Sequence, residues 1–232
     1  MSPVRCVKHV FGPLLGPALK RARASTKIIL YDHNCDEPGY PLEILHNPTA
    51  RKYVDGSGFH LYAGPIDALS EVHEAFPRKN VYFTEQMVVN RPNEPGMPIA
   101  APVTKILIGA TRNWSRNVLL WNLAADPQFG PHTNNGGCPV CQGAITIDGD
   151  SITRNLAYYA VAHFSKFVRP GSVRIDSTAV EALPNVAFKT PQGKRVLIVA
   201  NPGPAKQDFR LIYSHSQIFT ALDPGTVSTY VW

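Results

Sequence analysis

No stretch of about 18 consecutive apolar residues occurs in this 232-residue chain, so no membrane-spanning helix is expected. After Met1 the segment SPVRCVKHVFGPLLGPALK is interrupted by Gly12, Pro13, Gly16 and Pro17, and it does not read as a signal peptide. Cysteine is scarce. Four residues, Cys6, Cys35, Cys138 and Cys141, are too few and too scattered for a disulfide scaffold. Acidic residues are outnumbered 17 to 23 by lysine and arginine, giving a net charge of +6, but a basic balance points to an anionic partner only where the charge is clustered. The single cluster, KRARASTK (20–27), falls where a helix should end before a strand. Lys and Arg there complement the helix dipole, so nucleic acid is not expected as a partner. Low-complexity tracts are also missing.

Turn formers, by contrast, are abundant: 21 prolines and 17 glycines divide the chain into short elements, as suits a β-rich or α/β fold. From Lys27 to Trp121 one arrangement recurs, a short apolar strand ending in polar or aromatic residues and followed by a helix-like stretch. The strands are expected at 27–34, 56–64, 81–86 and 117–124, and the helices at 41–54, 65–77 and 102–114. This period is that of successive βα units in a parallel sheet. Beyond about Gly143 the pattern changes to alternating stretches divided by turns, with Asp148-Gly149 and Gln192-Gly193 at hairpin positions. The expected organisation is a partial (β/α)8 TIM barrel over 1–142 and an antiparallel β-sandwich over 143–232, interrupted by one helix-like segment at 156–168.

Chemistry-bearing residues gather at the carboxyl ends of the expected strands, where both barrels and doubly wound sheets build sites. Glu85 closes VYFTE, and a carboxylate so placed can attack an anomeric carbon or activate water; a salt-bridged strand-end Glu is the plainer alternative. His60 and Tyr62 occupy alternate positions of one strand and face one side, Tyr62 able to hold a carboxylate and His60 a sugar hydroxyl, or both serving as rim packing. Asp32, with His33 and Asn34, ends an apolar strand in a polar cluster that needs partners, a ligand or a loop-capping role. Trp121 and Asn122 end the last strand, offering an indole to stack on a sugar and an amide for its hydroxyls, although Trp is also a common core residue. The pair Cys138–Cys141 in CPVC lacks the helix of a redox motif and the second ligand pair of a zinc site, so a local disulfide or buried thiols fit it better.

Together YDHNCD (31–36), GFHLYAG (58–64), YFTEQ (82–86), LLWNLAADPQFGP (119–131) and YYAVAHFSKFVRPGSVRI (158–175) closely resemble glycoside hydrolase family 30, the glucosylceramidase-like group. The resemblance spans most of the chain in order, and HFSKFVRPGS is its most specific string. It implies a (β/α)8 barrel with an attached β-sandwich, an extracellular or periplasmic setting, and hydrolysis of β-glycosides with retention. It also implies a nucleophile after strand seven at Glu85, substrate contacts at Trp121 and Asn122 on strand eight and at His60 and Tyr62 on strand six, and Asp32 after strand five. No metal or other cofactor is implied.

The family's acid/base is the Glu of an Asn-Glu-Pro motif after strand four, and the first barrel strand here corresponds to strand five. The chain is therefore expected to hold about strands five to eight and to lack the acid/base. Asn93-Glu94-Pro95 does occur, but nine residues after Glu85 in a loop. Retaining chemistry needs carboxyls about 5 to 5.5 Å apart on rigid elements, so Glu94 reads as a decoy. Four βα units leave strand edges uncovered, which calls for an N-terminal partner half or self-association unless the chain is a gene fragment. The functional expectation is a retaining β-glycosidase acting on a β-glycoside or oligosaccharide. The rival is a catalytically inactive carbohydrate-binding or interaction fragment.

Overall fold

The computed structural model describes residues 10, 14–89 and 96–232; Cys6 and the expected decoy Glu94 lie outside them. Two compact units emerge, one built of residues 1–86 and 110–119, the other of 87–109 and 120–232.

In the first unit α1 (Gly16–Arg21) ends in Lys20 and Arg21, so the basic cluster begins as a charged last turn. Then follow β1 (Ile28–Asn34), α2 (Gly39–His46), α3 (Pro48–Arg51), β2 (Val54–His60), α4 (Ala68–Ala75), β3 (Asn80–Glu85) and β4 (Ser115–Val118). The strands form one parallel sheet in the order β1-β2-β3-β4. The expected helix at 41–54 is split at Asn47, because Pro48 cannot donate within a helix while the Asn47 side chain accepts from the amides of Thr49 and Ala50 and starts α3 afresh. Leu30, Phe59, Val81 and Phe83 of the sheet are buried, as are Ile44, Leu45, Leu69 and Val72 of α2 and α4. Full burial of Phe59 or Phe83 contributes about 1.5–3 kcal/mol each, which is what makes the βα units cohere.

The fourth strand is shorter than its sequence pattern. Its ladder stops at Val118 instead of running to Ala124, because the Asn117 side chain takes the Phe83 amide (3.1 Å) and shifts the register between Val81 and Phe83. Leu119 still donates to the Phe83 carbonyl at 3.0 Å.

The expected helix at 102–114 begins in the second unit as α5 (Ala100–Pro102), passes through a π-helical turn over Val103–Ile108 and leaves as α6 (Gly109–Arg112), of which residues 110–112 belong to the first unit. β5 (Ala124–Ala125) pairs with β6 (Ile145–Asp148), which forms a hairpin with β7 (Ser151–Arg154). The turn uses Gly149 at φ 57°, a conformation open to glycine without cost. After α7 (Leu156–Ser165) come β8 (Val173–Ile175), β9 (Asn185–Lys189), β10 (Arg195–Ala200), β11 (Gln207–Tyr213), β12 (Ser216–Leu222) and β13 (Val227–Val231). They make a four-stranded antiparallel sheet, β13-β10-β9-β8, and the hairpin β11-β12. Leu183, Val199 and Leu222 are buried between them with Phe209 and Tyr230 packed against them.

Candidate active site

The carboxyl ends of β1, β2 and β3 bring Asp32, His60 and Glu85 together. His60 Nε2 lies 3.3 Å from Asp32 Oδ1, and its Nδ1 lies 3.9 Å from Glu85 Oε1. The imidazole is 12% exposed, the Asp32 side chain 65% and that of Glu85 31%. One ring thus stands between two carboxylates, one open to solvent and the other half-sheltered.

Two β-bulges create this arrangement. Tyr31 pairs with Gly58 and His33 with Phe59, so Asp32 is an extra residue in β1. Both Tyr31 and Asp32 take positive φ, 73° and 55°, at a cost of about 1–3 kcal/mol each. Phe59 pairs with Phe83 and His60 with Glu85, so Thr84 is the extra residue in β3. In an even strand Glu85 would share the buried face of Phe83; the added residue turns it to the face of His60. Gly58 lies between the two bulges. A Cβ there would sit 3.0 Å from Thr84 Oγ1 and 3.3 Å from Asp32 Oδ1, so its lack of a side chain makes room for both.

Tyr62 is exposed just past β2, its ring edge-on to His60 at 6.2 Å between centroids. Trp121 and Asn122 belong to the second unit. Trp121 is 48% exposed and bridges Met87 in parallel fashion, and the peptide bond joining it to Asn122 is cis. Asn122 Oδ1 is buried and has no hydrogen-bond partner among the described residues. Cys138 and Cys141 form a disulfide, and Cys141 Sγ lies 3.6 Å from Met87 Sδ. Among the described residues no group of three or more His, Cys, Asp or Glu is placed to hold a metal.

Sequence reasoning marked Asn34 only as a member of the polar cluster with Asp32 and His33, and it missed Cys35 and Gln86 as site-shaping residues. Asn34 Oδ1 accepts from the Tyr62 amide (3.2 Å), Gln86 Oε1 accepts from the Leu61 amide (3.1 Å), and the Cys35 thiol donates to the His60 carbonyl (3.1 Å). Their only sequence signal was their position beside Asp32 and Glu85. Burial, with Asp36 and Asp67 adding to it, pushes the Cys35 thiol up to about 12, which keeps it a donor.

A separate groove of about 580 Å³ opens among β8–β11 of the second unit, lined by Leu183, Val199, Phe209, Tyr213 and Trp232 among others. Its walls include part of the sandwich core and no carboxylate–imidazole pair, so the chemistry is sought at the strand ends.

The carboxylate–imidazole–carboxylate row lies at the carboxyl edge of a parallel sheet, where barrels and doubly wound sheets alike build their sites. The family model "Glycosyl hydrolase family 30 TIM-barrel domain" matches residues 8–168, and "Glycosyl hydrolase family 30 beta sandwich domain" matches 171–230. The chain belongs to glycosyl hydrolase family 30.

Among its relatives, Endo-1,6-beta-D-glucanase neg1 of Aspergillus fumigatus is 36% identical over 195 residues, covering 81% of this chain and 38% of the relative. Lysosomal acid glucosylceramidase of Mus musculus is 29% identical, covering 94% of this chain and 45% of the relative. The chain thus spans less than half the length of these curated relatives. Among solved structures, the endo-beta1,6-glucanase BT3312 superimposes with a TM-score of 0.87 at 28% identity, covering 97% of this chain and 53% of that one. SrfJ from Salmonella typhimurium does so at 0.90 and 25% identity, covering 100% and 53%.

Proposed function

We propose that this chain is the nucleophile-bearing part of a retaining β-glycosidase for β-linked glucosides, with β1–β4 corresponding to strands five to eight of a (β/α)8 barrel. The observation that carries the reading is the His60 ring held between Asp32 and Glu85 on one sheet edge. Glu85 attacks the anomeric carbon and forms a glycosyl–enzyme ester while the aglycone oxygen leaves. The proton for that oxygen comes from a second carboxylic acid, which afterwards deprotonates the water that cleaves the ester. We assign that acid to residues outside this sequence, contributed by a preceding barrel half or a partner chain.

His60 orients Glu85, and Asp32 orients His60 and meets a sugar hydroxyl. At the same sheet edge the exposed ring of Tyr62 packs on the sugar. Glucose-type substrates are supported by the relatives, named as β-1,6-glucanases and glucosylceramidases. A setting outside the cytosol, extracellular or periplasmic, fits the Cys138–Cys141 disulfide, since such bonds persist in oxidising compartments.

The test uses 2-deoxy-2-fluoro-β-glucosyl fluoride, whose fluoride departs without a proton donor and whose ester accumulates. Mass spectrometry of the treated chain is expected to place one fluoroglucosyl group on Glu85, and none in Glu85→Gln. Equal labelling of that variant, or sugar binding with no label on the parent chain, would overturn the assignment; the latter result would favour an inactive binding fragment.

A further inference from the structure

We infer that Asn34, Cys35 and Gln86 act as positioning residues, a backbone clamp that fixes residues 60–62 and so holds the His60 imidazole against Glu85. The functional consequence rests on the glycosidase reading above; the clamp itself does not.

Past the last ladder position of β2 the chain has left the sheet, and its peptide groups would ordinarily turn to water. Here three successive residues are each caught by a side chain from a flanking strand. The His60 carbonyl accepts from the Cys35 thiol, the Leu61 amide donates to Gln86, and the Tyr62 amide donates to Asn34. Two of the captors come from the exit of β1 and one from the exit of β3, so the segment is held from both sides. Cys35 is buried and Asn34 and Gln86 are half-buried, which limits competition from solvent.

The clamp matters because a histidine has only two side-chain torsions, and the place of its ring is set by its own backbone. Contacts of 3.3 Å to Asp32 and 3.9 Å to Glu85 do not survive a shift of about 1 Å in residue 60. Glu85 and Gln86 are neighbours with divided roles: the carboxylate faces the ring, and the amide grips the backbone one residue beyond it. A neutral amide does this without placing another charge beside Glu85. The three captors therefore convert the sheet edge into a rigid seat for the imidazole.

The experiment uses the full chain and reads amide hydrogen exchange by NMR. Gln86→Ala is expected to speed exchange at Leu61 about tenfold or more, and Asn34→Ala to do the same at Tyr62. Gln86→Glu and Asn34→Asp keep an acceptor oxygen and should retain slow exchange. The ring 15N signals of His60 should move in both alanine variants, while the conservative variants, which add a charge near the ring, are judged by amide exchange alone. If the parent chain is labelled at Glu85 by the fluoroglucosyl reagent, its labelling rate should drop by a similar factor in the alanine variants. Exchange within twofold of the parent, or unmoved His60 ring signals, would overturn the clamp. Faster exchange and shifted ring signals in a chain that takes no label would uphold the clamp and count against the glycosidase reading alone.

Discussion

At the opposite end of the parallel sheet, one carboxylate ties the strands together, and removing it gives a prediction whose size can be worked out. Asp55, one residue into β2, accepts from the Tyr82 hydroxyl and from Asn80 Nδ2 (2.8 Å), and Lys27 Nζ lies 3.1 Å away. Asn80 in turn accepts from Arg116 of β4 at 3.1 Å, so the knot reaches from the entry of β1 to β4. A hydrogen bond to a charged group contributes about 1.5–3 kcal/mol, and two are lost in Asp55→Ala. Lys27 is mostly exposed and is left out of the sum. Water entering the half-buried gap will restore part of the loss, leaving about 2–4 kcal/mol, to be read from the midpoint of urea unfolding at unchanged slope.

The pH dependence supplies the sign. Burial by itself would raise the Asp55 pKa, but hydrogen bonds from Tyr82, Asn80 and Lys27, with the Lys27 charge, outweigh it and hold the carboxyl below its usual range. A carboxyl lowered in the folded state stabilises fully above its unfolded value, near about pH 3.9, and that stabilisation disappears as pH falls through the lower folded value. The difference between parent and Asp55→Ala should therefore stay constant from neutral pH down to about pH 5 and shrink below about pH 4. A difference under about 0.5 kcal/mol, or one that persists undiminished at the lowest pH where both fold, would refute this account of the knot.

Asn47→Ala removes the acceptor that starts α3 and should cost about 1 kcal/mol in urea unfolding. Burial lowers the His163 pKa, so the folded state takes up its proton later than the unfolded one; stability should fall as pH drops from about 6.5, and the melting temperature of His163→Asn should fall less over that window. Gly56→Ala would put a Cβ 2.1 Å from the Asn80 carbonyl oxygen, a backbone atom that cannot yield, and should destabilise by about 2 kcal/mol or more in thermal or urea unfolding. Gly58→Ala would crowd Thr84 and Asp32, and with them both bulges, so fluoroglucosyl labelling of Glu85 should slow while the circular dichroism melt falls by less than in Gly56→Ala.

The fold was legible where periodicity and turn chemistry agree. Short apolar runs ending in polar residues mark β1, β2 and β3, and Asp148-Gly149 marks the β6–β7 hairpin, because these signals are local. Which sheet a strand joins is not local. The β6–β7 hairpin has the alternation of the strands that follow it, yet its hydrogen bonds go to Ala124–Ala125, with Asn155 donating to the Gly143 carbonyl nearby. The early end of β4 was hidden for a similar reason, since Asn117 looks like any polar strand residue until its side chain replaces a rung of the ladder. At the site, Asp32, His60 and Glu85 could be singled out by type and by strand-end position. The partners of the captors of residues 60–62 could not, because Asn34, Cys35 and Gln86 act through contacts with residues 25 or more positions away, so that Asn34 stood out only as part of a polar cluster.

Register explains why the sequence pattern alone would misplace Glu85. Strict alternation puts Glu85 on the side of Val81 and Phe83, both fully buried, where an ionised carboxylate would be costly without a partner. The extra residue at Thr84 reverses that parity, and the extra residue at Asp32 does the same service on β1, so that two carboxylates from different strands converge on one imidazole between them. The β1 bulge is not favoured by its own residues, since Tyr31 and Asp32 both sit at positive φ without being glycine. Such strain persists only if neighbouring contacts hold it. Here the Tyr31 hydroxyl donates to the Asn34 carbonyl, Asp32 pairs with His60, and Thr84 donates to the Phe59 carbonyl at 3.4 Å. The strain is therefore localised where Glu85 is aimed, and Gly58 at its centre leaves the space in which both bulges fit.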